Sequence, residues 1–189
     1  MRTKLNVILL AGLLLTVTIG SHAKELLPNN LIDLSSQLGQ VLLKRDLNLN
    51  SVKLLTHFTT QKTPSYCGIA SAVMVLNSTD KIPPADSLHS PYTYFAQDDF
   101  FNKQVKVIIT PEEVEKKGIS LTKLSQALQS YGVEAKPYFS NELTEKQFKE
   151  ILTSAISKQQ FVIVNFLRTE LQQQGGGHHS PIAAYDSRP

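Results

Sequence analysis

Gln61-Lys62-Thr63-Pro64-Ser65-Tyr66-Cys67-Gly68-Ile69-Ala70-Ser71-Ala72-Val73-Met74-Val75-Leu76 is a polar, turn-prone approach that runs directly into an apolar helical pattern. Cys67 is the single cysteine of the chain and falls where the helix begins. The unpaired backbone N–H groups of a first helical turn stabilise negative charge, which suits a thiol that must act as a nucleophile. The competing reading is a buried structural cysteine, since free cysteine is among the most buried residue types. Positions 69 to 76 are nearly all small or apolar, so the helix is expected to be buried on every side and to hold Cys67 on a rigid support.

Working outward toward the N-terminus, Leu31, Ile32, Leu34, Leu38, Val41 and Leu42 recur at helical spacing and predict an amphipathic helix of core material. The first residues read as a secretory signal. Basic Arg2 and Lys4 precede an apolar run from Leu5 to Gly20, and Ser21-His22-Ala23 carries the small residues of a cleavage site. The run is too short and too interrupted for a membrane anchor, so no stable membrane insertion is expected. Residues 1 to 23 are therefore expected to be a signal peptide and residues 24 to 189 one exported, periplasmic catalytic domain.

The formal charge of the whole chain is +3. Loss of Arg2 and Lys4 leaves about +1, which gives no electrostatic case for nucleic acid or an anionic membrane surface. A lone cysteine can form no internal disulfide, and an unpaired thiol in an oxidising compartment calls for a reason that catalysis supplies.

Toward the C-terminus, residues 79 to 102 are rich in proline and aromatics and read as an irregular segment, pinned rather than pocket-lining. Thr110-Pro111-Glu112-Glu113 predicts a capped helix stopped at Gly118, and Leu121, Leu124 and Leu128 predict another closed by Gly132. Thr144-Glu145-Lys146-Gln147 repeats the capping box ahead of the apolar face Phe148, Ile151, Leu152, Ala155 and Ile156. Residues 161 to 167 have the β-branched content of a buried strand, and Ser180 to Tyr185 reads as a second. Helices first and strands last predict an α+β domain.

A cysteine nucleophile needs a base, and histidine has a suitable proton affinity. His22 lies in the signal, His57 on a strand or loop, and His89 in the proline-rich segment. His178 and His179 follow three glycines that would let a substrate backbone approach closely. Gln61, six residues before Cys67, could supply a side-chain amide to an oxyanion together with the Cys67 N–H. One thiol and two adjacent imidazoles lack the spacing of a structural zinc centre.

Gln61, Cys67 and a distant His178, in that order, resemble the papain-like cysteine peptidase arrangement. More closely, Ser65-Tyr66-Cys67-Gly68-Ile69-Ala70-Ser71-Ala72, Met74-Val75-Leu76-Asn77, Tyr94-Phe95-Ala96-Gln97-Asp98-Asp99-Phe100-Phe101, Val164-Asn165-Phe166-Leu167-Arg168 and Gly175-Gly176-Gly177-His178-His179-Ser180-Pro181 resemble the phytochelatin synthase family in its short bacterial form. The resemblance runs from about residue 50 to residue 189.

It implies a papain-like fold, with a helical N-terminal part carrying the nucleophile helix and an antiparallel sheet in the C-terminal part, incomplete here. It also implies glutathione γ-glutamylcysteinyltransferase chemistry, with glutathione as the substrate partner and a link to heavy-metal detoxification. By position, Cys67 matches the nucleophile, His178 the histidine, Gln61 the oxyanion residue, and His179 a bystander. The family's third catalytic residue, an aspartate, is expected on a strand beyond Pro189, and Asp186 matches the turn before it. No tightly bound cofactor is expected, because cadmium or zinc would act through the thiolates of the acceptor glutathione. A homodimer is left open. The rival readings are a papain-like peptidase acting on other peptides and a noncatalytic periplasmic thiol protein that binds metal.

Overall fold

The computed structural model describes residues 27–84 and 91–186. The expected signal peptide, His22, His89 and the cleavage point before Lys24 lie outside the described residues. Among the described residues, seven α-helices precede a two-stranded sheet: α1 Gln37–Asp46, α2 Leu49–Thr56, α3 Cys67–Asn77, α4 Lys103–Ile108, α5 Pro111–Lys117, α6 Leu121–Gln129 and α7 Glu145–Ser157, then β1 Ile163–Leu167 and β2 Gly177–Pro181. This is a mixed α+β arrangement in which the helices come first.

Helix α3 is the centre of the molecule, and its burial explains its composition. Every residue from Cys67 to Leu76 is buried. One side, through Ile69, Ala72, Val73 and Leu76, joins a core built with Phe95, Phe100, Phe101, Val105, Ile109, Val114, Ile119, Leu124 and Leu128. The other side, through Met74 and Val75, packs with Leu54 of α2 and with Phe161 and Ile163 beside and on β1. A helix covered on both sides can hold no charged residue without a partner, hence the unbroken apolar and small sequence.

The irregular aromatic segment is pinned into this core. Phe95 meets Tyr131 edge to face at 5.4 Å, and Phe100 stacks on the same ring at 5.6 Å. The Tyr131 hydroxyl donates to the Phe100 carbonyl at 2.7 Å, and burial pushes that hydroxyl up to about 12. Capping boxes at Thr110/Glu113 and Thr144/Gln147 start α5 and α7. Gly118 ends α5 at φ +71°, a conformation that favours glycine.

Two expectations change. The early apolar stripe is not core: α1 begins only at Gln37, and Leu38 and Val41 are 56% and 50% exposed. Periodicity identifies a face but not what lies against it. His57 lies in the turn that ends α2, the loop alternative of its expected place. The second strand starts at Gly177 rather than Ser180 and stops at Pro181, because pairing with β1 runs from Leu167↔Gly177 to Ile163↔Pro181.

Candidate active site

Cys67 is the first residue of α3 and is 9% exposed. Tyr66 precedes it without a side-chain cap, although the Tyr66 carbonyl already accepts from Ala70 N–H at 2.8 Å. The first-turn N–H groups around the sulfur therefore lack a side-chain acceptor from the capping position. The Cys67 carbonyl accepts from Ser71 Oγ at 2.8 Å, within the helix.

Strand β2 crosses this helix end. His179 Nδ1 lies 3.9 Å from Cys67 Sγ, and the backbone N–H of His179 donates to the same sulfur at 3.5 Å. Gly68 leaves room there for the side chain of Ile119. A methyl group there would collide with Ile119 Cγ2 and stand 3.5 Å from His179 Nδ1. The Cys-Gly pair thus presents the sulfur to His179 and packs closely on Ile119.

The structure brings His179, and not the expected His178, against Cys67. The reason is the pleat: consecutive side chains of a strand point to opposite faces. With Asn165 opposite His179 and Phe166 opposite His178, the strand that turns His179 toward α3 turns His178 away. His178 Nδ1 instead meets Arg168 Nη2 at 2.8 Å, and its ring lies edge-on to Phe166 at 5.6 Å. Alternation was legible in the sequence, but its phase was not.

Electrostatics distinguish the two rings. Burial, with a smaller contribution from neighbouring His178, pushes His179 down to about 4, so its imidazole is neutral near pH 7. His179 Nε2 is buried and has no hydrogen-bond partner among the described residues. Burial first and the Arg168 guanidinium second also lower His178.

Gln61 is half-buried on the approach to α3, and its Nε2 donates to the Thr63 carbonyl at 2.7 Å. A primary amide has two N–H donors, so one remains for another acceptor. The turn is tied down further along, where Ser65 Oγ donates to the Glu115 carbonyl at 2.8 Å. Asp186 stands 3.7 Å from Arg45. Among the described residues, no three His, Cys, Asp or Glu side chains gather into a group that could hold a metal ion.

Comparison with known proteins gives this geometry its context. Glutathione gamma-glutamylcysteinyltransferase 3 of Lotus japonicus is 31% identical over 134 residues, covering 70% of this chain and 27% of that protein. Glutathione gamma-glutamylcysteinyltransferase 2 of Arabidopsis thaliana is 31% identical over 135 residues, covering 71% of this chain and 28% of its own length. The glutathione gamma-glutamylcysteinyltransferase of Schizosaccharomyces pombe is 24% identical over 170 residues, covering 87% of this chain and 40% of that protein. This chain thus spans well under half the length of these relatives. The family model for phytochelatin synthase matches residues 22–189, and the chain belongs to that family.

Proposed function

We propose that the protein transfers the γ-glutamylcysteinyl group of glutathione through a thioester on Cys67, on a papain-like scaffold. The observation that carries this reading is the sulfur–imidazole pair at the start of the buried helix, 3.9 Å apart, in a chain of the phytochelatin synthase family. Cys67 Sγ attacks the carbonyl carbon of the Cys–Gly bond while its proton passes to the neutral imidazole. The oxyanion is held by the Cys67 N–H and the remaining N–H of Gln61. The tetrahedral intermediate expels glycine, which takes the proton from the imidazolium. Water then gives γ-glutamylcysteine, or the amine of a second glutathione gives a phytochelatin; resemblance to the bacterial form favours water. Cadmium or zinc enters as a thiolate complex of the second glutathione, on the substrate side of the reaction.

In this reading His179 is the base, supported by its distance to sulfur. The orphaned Nε2 is where the carboxylate of the expected aspartate would accept a hydrogen bond and raise the proton affinity of the ring. A second reading keeps His178 as the base. It is favoured by the position of His178 directly after the glycine run and by the low proton affinity of buried His179. A one-residue slide of β2 along β1 would exchange the faces of the two rings. The signal-like N-terminus supports export to the periplasm as the setting.

Assay of the full chain with glutathione and with a set of unrelated peptides tests the reaction. Glycine should appear with matching γ-glutamylcysteine or phytochelatin, and Cys67→Ser should abolish both while circular dichroism stays unchanged. Peptides cut as fast as glutathione would make it a peptidase. Metal binding without glycine release would make it a scavenger.

A further inference from the structure

Gln61 sits on a short stretch outside any helix or strand, so something must fix its backbone if its amide is to meet an oxyanion. The two residues flanking it are held by one side chain. Gln97 Oε1 accepts from Lys62 N–H at 2.9 Å, and Gln97 Nε2 donates to the Thr60 carbonyl at 2.9 Å. The carboxamide thus takes the place of a peptide unit in a neighbouring strand and brackets Gln61 from both sides.

Gln97 is itself anchored to the nucleophile helix. Two residues earlier, Phe95 is buried in the core, its N–H donates to Asn77 Oδ1 at 2.8 Å, and its carbonyl accepts from Asn77 Nδ2 at 3.0 Å. Asn77 is the last residue of α3, and Cys67 is the first. Two carboxamides in relay therefore tie the turn bearing Gln61 to the helix bearing Cys67. The exposed Lys62–Asp98 ion pair lies over the same turn and adds little by itself.

We propose that Gln97 is a positioning residue that sets Gln61 relative to Cys67 through the Thr60 and Lys62 backbone. The proposal rests on Gln61 serving as oxyanion donor. A displacement of about 1 Å at a donor costs on the order of a hundredfold in rate, so Gln97→Ala should slow acylation by about ten- to a hundredfold. Its KM for glutathione should stay within about twofold of the parent, because the lost interaction acts in the transition state. Gln97→Glu, which keeps the acceptor for Lys62 N–H and loses the donor to Thr60, should fall between the two.

The deciding experiment is a double-mutant cycle in the full chain, reading glycine release, with amide hydrogen exchange at Lys62 followed in the same proteins. Gln61→Ala should cost about 10² to 10³ in rate. Adding Gln97→Ala to it should cost nothing further, since both act through one amide. Exchange at the Lys62 amide should quicken at least tenfold in Gln97→Ala. Independent, multiplying losses, or a Gln97→Ala protein at full rate beside a slowed Gln61→Ala, would overturn the proposal and leave the oxyanion reading intact. Unchanged Lys62 exchange would overturn it whatever the turnover. A Gln61→Ala protein at full rate would overturn the oxyanion reading, and the positioning role with it.

Discussion

Helix α3 and the β1–β2 hairpin meet at the candidate site, but they are held there in different ways. The helix is enclosed by two apolar clusters, one holding Ile69, Ala72, Val73 and Leu76 and the other Met74 and Val75. The hairpin is a two-stranded ribbon whose residues are mostly half-buried or exposed, fed by Gly175, Gly176 and Gly177. Isolated two-stranded ribbons are marginal, and glycine-rich strands specify register weakly. The position of the Cys67 helix is thus fixed by many contacts and that of His179 by the phase of one strand pairing.

The largest expected effect tests that phase. His179→Ala should lower thioester formation by about 10² to 10⁴, the range for a lost general base, whereas His178→Ala should retain most of the rate. Single-turnover glycine release from glutathione measures both. The opposite ranking would mean that the working hairpin is one residue out of the register described here.

An effect of intermediate size concerns pH. Unfolded, His179 takes a proton near its ordinary value of 6.5, but folded only at about 4. Between those values the unfolded chain binds more protons, so this residue makes stability fall as pH drops from 6.5 to 4 and flatten below. The loss is on the order of 3 kcal/mol. Urea denaturation at stepped pH should show it in the parent and show it greatly reduced in His179→Gln. An equal pH dependence in both proteins would remove His179 from the buried position.

The smallest effect tests the helix side. Gly68→Ala places a methyl group against Ile119 and beside the imidazole. It should destabilise by about 1 to 3 kcal/mol, as overpacking commonly does, with a drop in thermal midpoint. A substitution neutral for stability would show that Ile119 does not press on this turn.

What the sequence made legible follows the same division. The start of α3 was readable because a polar turn gives way at Cys67 to a long apolar run, and α5 and α7 because Thr110 and Thr144 open capping boxes. Helix α2 escaped notice because its capping box pairs Asn48 with Ser51 instead of an acidic or amide residue. Helix α4 escaped because its cap, Asn102, follows directly on the aromatic segment. The stripe from Leu31 to Leu42 misled because helical spacing cannot say which neighbour covers a face. The pair His178 and His179 could be placed on a strand, but only the partner register chooses which ring meets the sulfur. Gln97 stands in the motif of residues 94–101, but its tie to the Gln61 turn left no local signal, since its partners lie 35 and 37 residues away.

The proposed chemistry is covalent, with Cys67 itself carrying the acyl group. Peptide mass spectrometry of the full chain, quenched in acid within the first turnover with glutathione, reads it directly. A γ-glutamylcysteinyl thioester is expected on the peptide containing Cys67, formed with an equal amount of free glycine and absent from Cys67→Ala. Glycine release with Cys67 unmodified at every quench time, or an adduct on another residue, would contradict it.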